Sequence, residues 1–173
     1  MLSTETVFLL APEIALVAVA VVIYVAGAFS QSREVWSWIA AGGVIVAALA
    51  LWKSSGHTTS EGPLVLDGLA WYVRWLALAS GGLLVLLTSR PLSGPGTPEY
   101  VASLLLAVAG VMLTASAGNL VLLFVGLELV SIPTYVLLYL PRRDAASQEA
   151  TAKYFFLSVL SSAILLYGFS FLY

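Results

Sequence analysis

The sequence predicts an all-α integral membrane protein, a polytopic bundle of about six transmembrane helices. Of its 173 residues, 61% are hydrophobic and only 9% are charged, whereas soluble domains carry about a quarter charged residues. Six spans of about 20 residues use about 120 residues and leave about 50 for the connecting loops. The chain is therefore too apolar for a soluble enzyme and has the length that six short-looped membrane helices require.

Composition also excludes several kinds of site. The chain has no cysteine, so it forms neither disulfides nor thiolate sites for zinc or iron–sulfur clusters. Its single histidine cannot build a paired haem ligand set or a histidine-rich metal cluster. The net charge of -2 argues against nucleic-acid binding, so nucleic acid is excluded as a partner and the lipid bilayer is expected as one.

The first three predicted spans cover about residues 7–29, 35–52 and 67–89, each an apolar run ended by polar residues. Ala26-Gly27-Ala28 resembles the cleavage site of a signal peptide. However, residues 1–6 include no Lys or Arg and the apolar run is too long for a signal peptide, so a retained helix is predicted. The polar segment 53–63 is expected to form a surface loop.

The last three predicted spans cover about residues 99–117, 119–140 and 148–173. The connection around Gly118 is very short, so the fourth and fifth spans are expected to be antiparallel neighbours. No linker separates two globular units. Residues 1–173 are therefore predicted to form a single transmembrane bundle.

Basic residues predict how the bundle is oriented. The loops after spans one, three and five hold four arginines: Arg33, Arg90, Arg142 and Arg143. The N-terminus and the other two loops hold only Lys53. Since cytoplasmic loops carry the excess of Lys and Arg, the odd-numbered loops are expected in the cytoplasm and both termini outside.

Four charged side chains lie inside predicted spans, where each costs a few kcal/mol or more and normally faces the bundle interior: Glu13, Arg74, Glu128 and Lys153. Glu13 follows Pro12 in the opening turns of the first span, so it is expected to be interfacial and without a functional role. Arg74 follows Asp67 by two helical turns, which predicts a structural ion pair between them.

Glu128 is the candidate for proton transfer. It lies nine residues into the fifth span, about 14 Å from one end and near the midplane. Pro133 removes the hydrogen bond that would reach the Leu129 carbonyl, so a kink is expected just after the acid. The freed carbonyl and Ser131 could hold water that exchanges a proton with Glu128. The alternative is a static partner for a buried Lys or Arg.

Lys153 lies about one and a half turns into the sixth span. It either extends its ammonium back to the cytoplasmic interface or acts as a cation that tunes Glu128 or accepts its proton. The estimated depths separate the two residues by about 10 Å, so a water molecule or a third residue would have to connect them. Small residues of this span are expected to allow close packing and could also line a hydrated path: Ser158, Ser161, Ser162, Ala163 and Gly168.

Two stretches are motifs that are more specific than apolar composition. They are GLELVSIPTYVL at 126–137 and EATAKYFFLS at 149–158, the latter followed by LSSAILLYG at 160–168. Together they resemble subunit N of bacterial NADH-quinone oxidoreductase (respiratory complex I), the counterpart of mitochondrial subunit 2. Two such motifs in this order are more specific than one. Pro12-Glu13 and Glu99-Tyr100 agree with the resemblance.

The resemblance implies that Glu128 matches the family's fifth-helix glutamate and Lys153 its sixth-helix lysine, both in proton translocation. It implies a non-redox translocase subunit without a complete active site, driven by quinone reduction elsewhere. NADH and quinone would then be used by the whole complex, and this chain would bind no cofactor. The implied partners are the other complex I membrane subunits, including antiporter-like paralogues, in the bacterial inner membrane.

The sequence departs from the family in length, because it lacks the second inverted repeat of helices and the membrane lysines after the sixth helix. Three functions therefore stay open. The first is a proton-translocating complex I subunit or its N-terminal portion. The second is a subunit of a related multi-subunit cation/proton antiporter or membrane-bound hydrogenase. The third is a non-catalytic assembly scaffold.

Overall fold

The computed structural model describes residues 4–29, 33–55, 62–88, 98–141 and 144–172. Within these ranges the chain forms seven helices: α1 (Thr4–Leu9), α2 (Ala11–Gly27), α3 (Arg33–Lys53), α4 (Gly68–Thr88), α5 (Pro98–Ala115), α6 (Leu120–Tyr139) and α7 (Ala145–Ser170). Helices α3 to α7 are each long and apolar enough to cross a membrane, and α2 is a shorter apolar helix. The predicted all-α polytopic membrane bundle is confirmed.

The segment predicted as the first span is divided at Leu10, between α1 and α2. Pro12 lies in the first turn of α2 and has no N–H with which to continue the hydrogen bonding of α1. The interruption leaves the Leu9 carbonyl able to accept a hydrogen bond from a side chain of another helix. The structure thus differs from the single continuous helix expected over 7–29.

Helix α5 forms the centre of the bundle and packs against α2, α3, α4 and α6. Leu105, Ala109 and Met112 on this helix are fully buried. Helix α7 packs mainly on α6, and none of its residues from Ala145 to Ser170 is buried by the described part of the chain. The bundle therefore has a compact centre and one peripheral helix.

The connections α3–α4 and α5–α6 meet at one end of the bundle. Leu64 and Ala117 form an isolated antiparallel bridge, and the Gly118 N–H donates to the Pro63 carbonyl at 2.8 Å. The two connections therefore lie on the same side of the membrane, as the two crossings by α4 and α5 require. The orientation prediction rests largely on residues outside the described ranges: Arg90, Arg142 and Arg143.

Two glycines determine how closely α5 and α6 approach. A Cβ atom on Gly110 would lie 2.7 Å from the backbone nitrogen of Val130, and one on Gly126 would lie 2.5 Å from Thr114 Oγ1. Both distances are too short for a carbon contact, so this approach requires glycine at both positions, as in other closely packed membrane helices. Gly126 lies two residues before Glu128, and the contact therefore fixes the helix that carries this acid.

Candidate functional site

Glu128 is the one charged residue of α6. The Asn119 side chain caps this helix by accepting a hydrogen bond from the Leu122 N–H at 2.7 Å. Glu128 lies eight residues beyond Leu120, about 12 Å along the helix, and its side chain is half-buried. Pro133 is buried inside the helix, which continues past it to Tyr139.

A serine of α7 contacts Glu128. The Ser162 hydroxyl donates a hydrogen bond to Glu128 Oε1 across the two helices. About two turns along, the ring of Tyr135 packs edge-on against Tyr154 and Phe155, with centroid separations of 5.6 and 5.4 Å. These contacts give one antiparallel register, in which Glu128 lies opposite Ser162.

Lys153 lies away from Glu128, near the connection between α6 and α7. Its ammonium pairs at 2.5 Å with Glu149, one turn earlier on the same helix, and both side chains are about two-thirds exposed. Nine residues separate Lys153 from Ser162, or about 14 Å along α7. In the structure, the hydrogen-bonding partner of Glu128 is therefore the Ser162 hydroxyl. Ser162 does not link Glu128 to Lys153, because it lies too far from the lysine along α7.

A second pair of charges is buried between α2 and α4. Arg74 is fully buried and donates from Nε to Glu13 Oε1 at 2.9 Å and from Nη2 to Oε2 at 2.8 Å. Its Nη2 also donates to the Leu9 carbonyl at 2.9 Å, and its Cζ lies 5.3 Å from the Trp71 ring centroid. A two-pronged contact between arginine and carboxylate is among the strongest hydrogen-bonded arrangements in proteins.

Two expectations about these residues are wrong. Arg74 does not pair with Asp67, which instead caps α4 by accepting a hydrogen bond from the Ala70 N–H at 2.7 Å. Glu13 is not interfacial, because only 4% of it is exposed. Spacing along one helix favoured Asp67, whereas the partner of Arg74 comes from a different helix.

Sequence analysis missed two contacts that features of the sequence could have indicated. Glu13 and Arg74 are opposite charges that lie near the beginnings of the first and third spans, which start on the same side of the membrane. Ser162 was grouped with small packing residues, although an antiparallel pair of helices places a residue of the sixth span opposite Glu128.

Comparison with known proteins supports the resemblance carried by the two motifs. Residues 117–173 match the family model for the transmembrane NADH:quinone oxidoreductase/Mrp antiporter proteins. NADH-quinone oxidoreductase subunit N of Rhodobacter capsulatus is 35% identical over 95% of this chain, and F(420)H(2) dehydrogenase subunit N of Methanosarcina mazei is 33% identical over 98%. The chain covers 36% and 37% of these two proteins, so it spans about a third of the length of the curated relatives it matches.

The fold agrees with the sequence comparison. A chain in the structure of respiratory complex I from Thermus thermophilus with bound aureothin superposes with a TM-score of 0.75 at 29% identity. The superposition covers 91% of this chain and 35% of that chain. In sequence and in fold, nearly all of the residues given are similar to subunit N of NADH-quinone oxidoreductases, about a third of whose length this chain spans.

Proposed function

We propose that this chain is part of a membrane subunit that contributes to proton translocation in a proton-pumping NADH-quinone oxidoreductase. The observation that carries the proposal is Glu128, half-buried in the middle of α6 and hydrogen-bonded to α7. Charged side chains at such depths are costly and typically mark ion or proton paths. Quinone reduction by other subunits drives the translocation, and this chain binds no cofactor itself.

Glu128 and Ser162 form a unit that suits repeated protonation. A serine hydroxyl both donates and accepts hydrogen bonds, so it donates to the ionised carboxylate and accepts from the protonated acid. The contact between α6 and α7 therefore persists while the proton arrives and leaves. We assign proton transfer to Glu128 and a positioning role to Ser162.

Lys153 is proposed to modulate this site from a distance. Its charge is balanced by Glu149, and the interaction with Glu128 must act over about 14 Å, from the spacing along α7. The effect of Lys153 on proton uptake is therefore smaller than that of Glu128.

The proposed partners are other membrane subunits of the complex, including antiporter-like paralogues, in the bacterial inner membrane with both termini outside. The names of the relatives specify different electron donors, NADH in one and reduced F420 in another. A role in proton translocation is compatible with either donor, because it does not require this chain to bind the donor.

The second candidate is a subunit of a multi-subunit cation/proton antiporter, a class that the description of the matching family model names beside NADH:quinone oxidoreductase. Co-purification with NADH-oxidising subunits supports the first candidate, and their absence from an intact complex supports the second. An assembly scaffold is the third candidate, and it requires that loss of the Glu128 carboxyl leave transport unchanged.

The decisive experiment is Glu128→Gln in the assembled complex. Glutamine keeps the shape and a partner for Ser162 but cannot exchange a proton, so we expect proton translocation to fall at least about 100-fold with assembly retained. Glu5→Gln is the matched control, because this carboxyl is exposed on α1, away from the contact between α6 and α7. Proton uptake by membrane vesicles is measured against electron transfer, and wild-type pumping by Glu128→Gln would overturn the proposal.

Ser162→Ala tests the positioning role. It removes a hydrogen bond to a charged group, worth about 1.5–3 kcal/mol, and we expect proton translocation to fall about tenfold or more with an altered pH profile. Ser162→Thr keeps the hydroxyl and is expected to restore both. Ser161→Ala is the control, since in the described part of the chain the Ser161 hydroxyl binds only the Leu157 carbonyl of its own helix. An identical pH profile in Ser162→Ala and wild type would exclude this role.

A further inference from the structure

The guanidinium of Arg74 has two N–H groups that its pair with Glu13 does not use. An arginine side chain carries five N–H groups, one on Nε and two on each Nη nitrogen. Nε donates to Glu13 Oε1, and Nη2 donates both to Glu13 Oε2 and to the Leu9 carbonyl. The two remaining N–H groups are therefore both on Nη1. This nitrogen is buried and has no hydrogen-bond partner among the described residues.

A second buried donor lies beside Arg74 Nη1. Trp71 precedes Arg74 by three positions on α4, so the two side chains share one face of the helix. The Trp71 ring centroid lies 5.3 Å from Arg74 Cζ. The indole Nε1 is also buried without a partner in the described structure, and this nitrogen can only donate a hydrogen bond. The two neighbouring nitrogens therefore offer N–H groups that need an acceptor.

The protein groups near these donors do not satisfy them. The ring face of Trp71 attracts the guanidinium but leaves the indole N–H unpaired. The other buried polar atom without a partner in the described ranges is Glu99 Oε2. Glu99 lies in the first turn of α5, at the opposite end of the bundle from the start of α4, which carries Arg74. Since a buried donor without an acceptor is costly, and more so when it is charged, another molecule is required.

Charge and size specify what these donors bind. The guanidinium repels a cation. An anion would lie close to the Glu13 carboxylate, which already balances the charge of Arg74, and it would add an unbalanced negative charge to a buried site. A neutral molecule with an acceptor oxygen avoids both penalties, and only a very small one fits among buried atoms. Water meets these conditions, since buried waters typically make about three hydrogen bonds to otherwise unpaired polar groups.

We propose that a single water molecule is bound between Arg74 and Trp71. Its oxygen accepts hydrogen bonds from Arg74 Nη1 and Trp71 Nε1. The Leu9 carbonyl already accepts from the same guanidinium and has a second lone pair, so it accepts one hydrogen of the water. The water thus belongs to the polar cluster that joins α4 to the break between α1 and α2. The proposal is independent of whether Glu128 carries a proton.

Electron cryo-microscopy of the intact complex, at a resolution that shows ordered waters, tests this site directly. We expect a density peak about 2.9 Å from both Arg74 Nη1 and Trp71 Nε1, as strong as the other buried waters in the same map. A map that shows waters elsewhere in the bundle but none here would overturn the proposal. An acceptor group of the protein itself at this position would overturn it as well.

Trp71→Phe removes one of the two donors and keeps an aromatic ring beside Arg74. We expect the water peak to disappear in this variant. Trp75→Phe is the matched control, because the Trp75 ring packs edge-on against Trp52 of α3 and its nitrogen is not among the buried atoms without a partner. The peak should persist in the control. An unchanged peak in Trp71→Phe would show that the indole does not bind the water.

Ultraviolet resonance Raman spectroscopy gives an independent readout, because indole vibrations shift when the N–H donates a hydrogen bond. The difference between the spectra of the wild-type complex and Trp71→Phe isolates the contribution of Trp71. We expect the frequency of a hydrogen-bonded indole, although the described protein offers Nε1 no acceptor. The frequency of a free indole N–H would overturn the proposal without reference to any density map.

Discussion

Arg74→Met is expected to leave little folded protein in the membrane. The substitution removes the only charge that balances Glu13 in the described structure, together with the hydrogen bond to the Leu9 carbonyl. Removing one partner of a buried ion pair costs about 3–5 kcal/mol, and the whole stability of a typical domain is about 5–15 kcal/mol. The loss is therefore a large part of what holds α1, α2 and α4 together.

The measurement is the amount of full-length protein in membranes and the unfolding midpoint of the purified complex. Lys153→Met is the matched control, because it removes the same kind of charge from an exposed pair and should cost less than about 1 kcal/mol. Equal losses in the two variants would contradict the assignment.

The double variant Glu13→Leu/Arg74→Met tests whether the unpaired Glu13 carboxylate causes the loss of stability in Arg74→Met. Apolar side chains of similar size often replace a buried ion pair without loss of stability, so we expect recovery of most of the folded protein. Recovery should stop short of wild type, because the Leu9 carbonyl still lacks its donor. A double variant as unstable as Arg74→Met would show that the stranded carboxylate is not the cause.

Gly110→Ala is expected to force α5 and α6 apart. The new methyl group would meet the backbone of α6 at Leu129 and Val130, 2.8 and 2.7 Å away, and backbone cannot rotate aside as a side chain can. Overpacking of this kind typically costs about 1–3 kcal/mol. Because α6 carries Glu128, the proton translocation that we propose for this chain should fall along with stability.

Gly42→Ala is the control for this substitution, since a Cβ at Gly42 on α3 meets no atom within 4 Å. We expect it to leave stability and proton translocation unchanged. The readouts are the unfolding midpoint of the complex and proton uptake by vesicles. Wild-type values for Gly110→Ala would refute the requirement for glycine between these helices.

The helices of the bundle were predictable because apolar length and the polar residues between runs are local properties of the chain. The break at Leu10 also has a local cause in Pro12, although the length of the apolar run favoured one helix. The partner of Arg74 was not predictable from spacing, because Glu13 lies 61 residues away and reaches it through the packing of the bundle.

The candidate site was also predictable only in part. The position of Glu128 within its helix follows from the sequence, and the resemblance in 126–137 points to its role. The contact between Glu128 and Ser162 depends on the register between α6 and α7. Tyr135 packs against Tyr154 and Phe155 in this same register. The register was not predictable from the sequence, because it depends on how the side chains of two helices pack against each other.

The bridge between Leu64 and Ala117 has a consequence for how the chain folds during synthesis. It joins residues separated by 53 positions (117 minus 64) with two complete helices between them. The chain is synthesised from its N-terminus, so the segment around Leu64 leaves the ribosome before Ala117 does. It stays without its partner while α4 and α5 enter the bilayer. The bridge can therefore form only after both helices have crossed the bilayer, and it closes a loop of chain that contains α4 and α5.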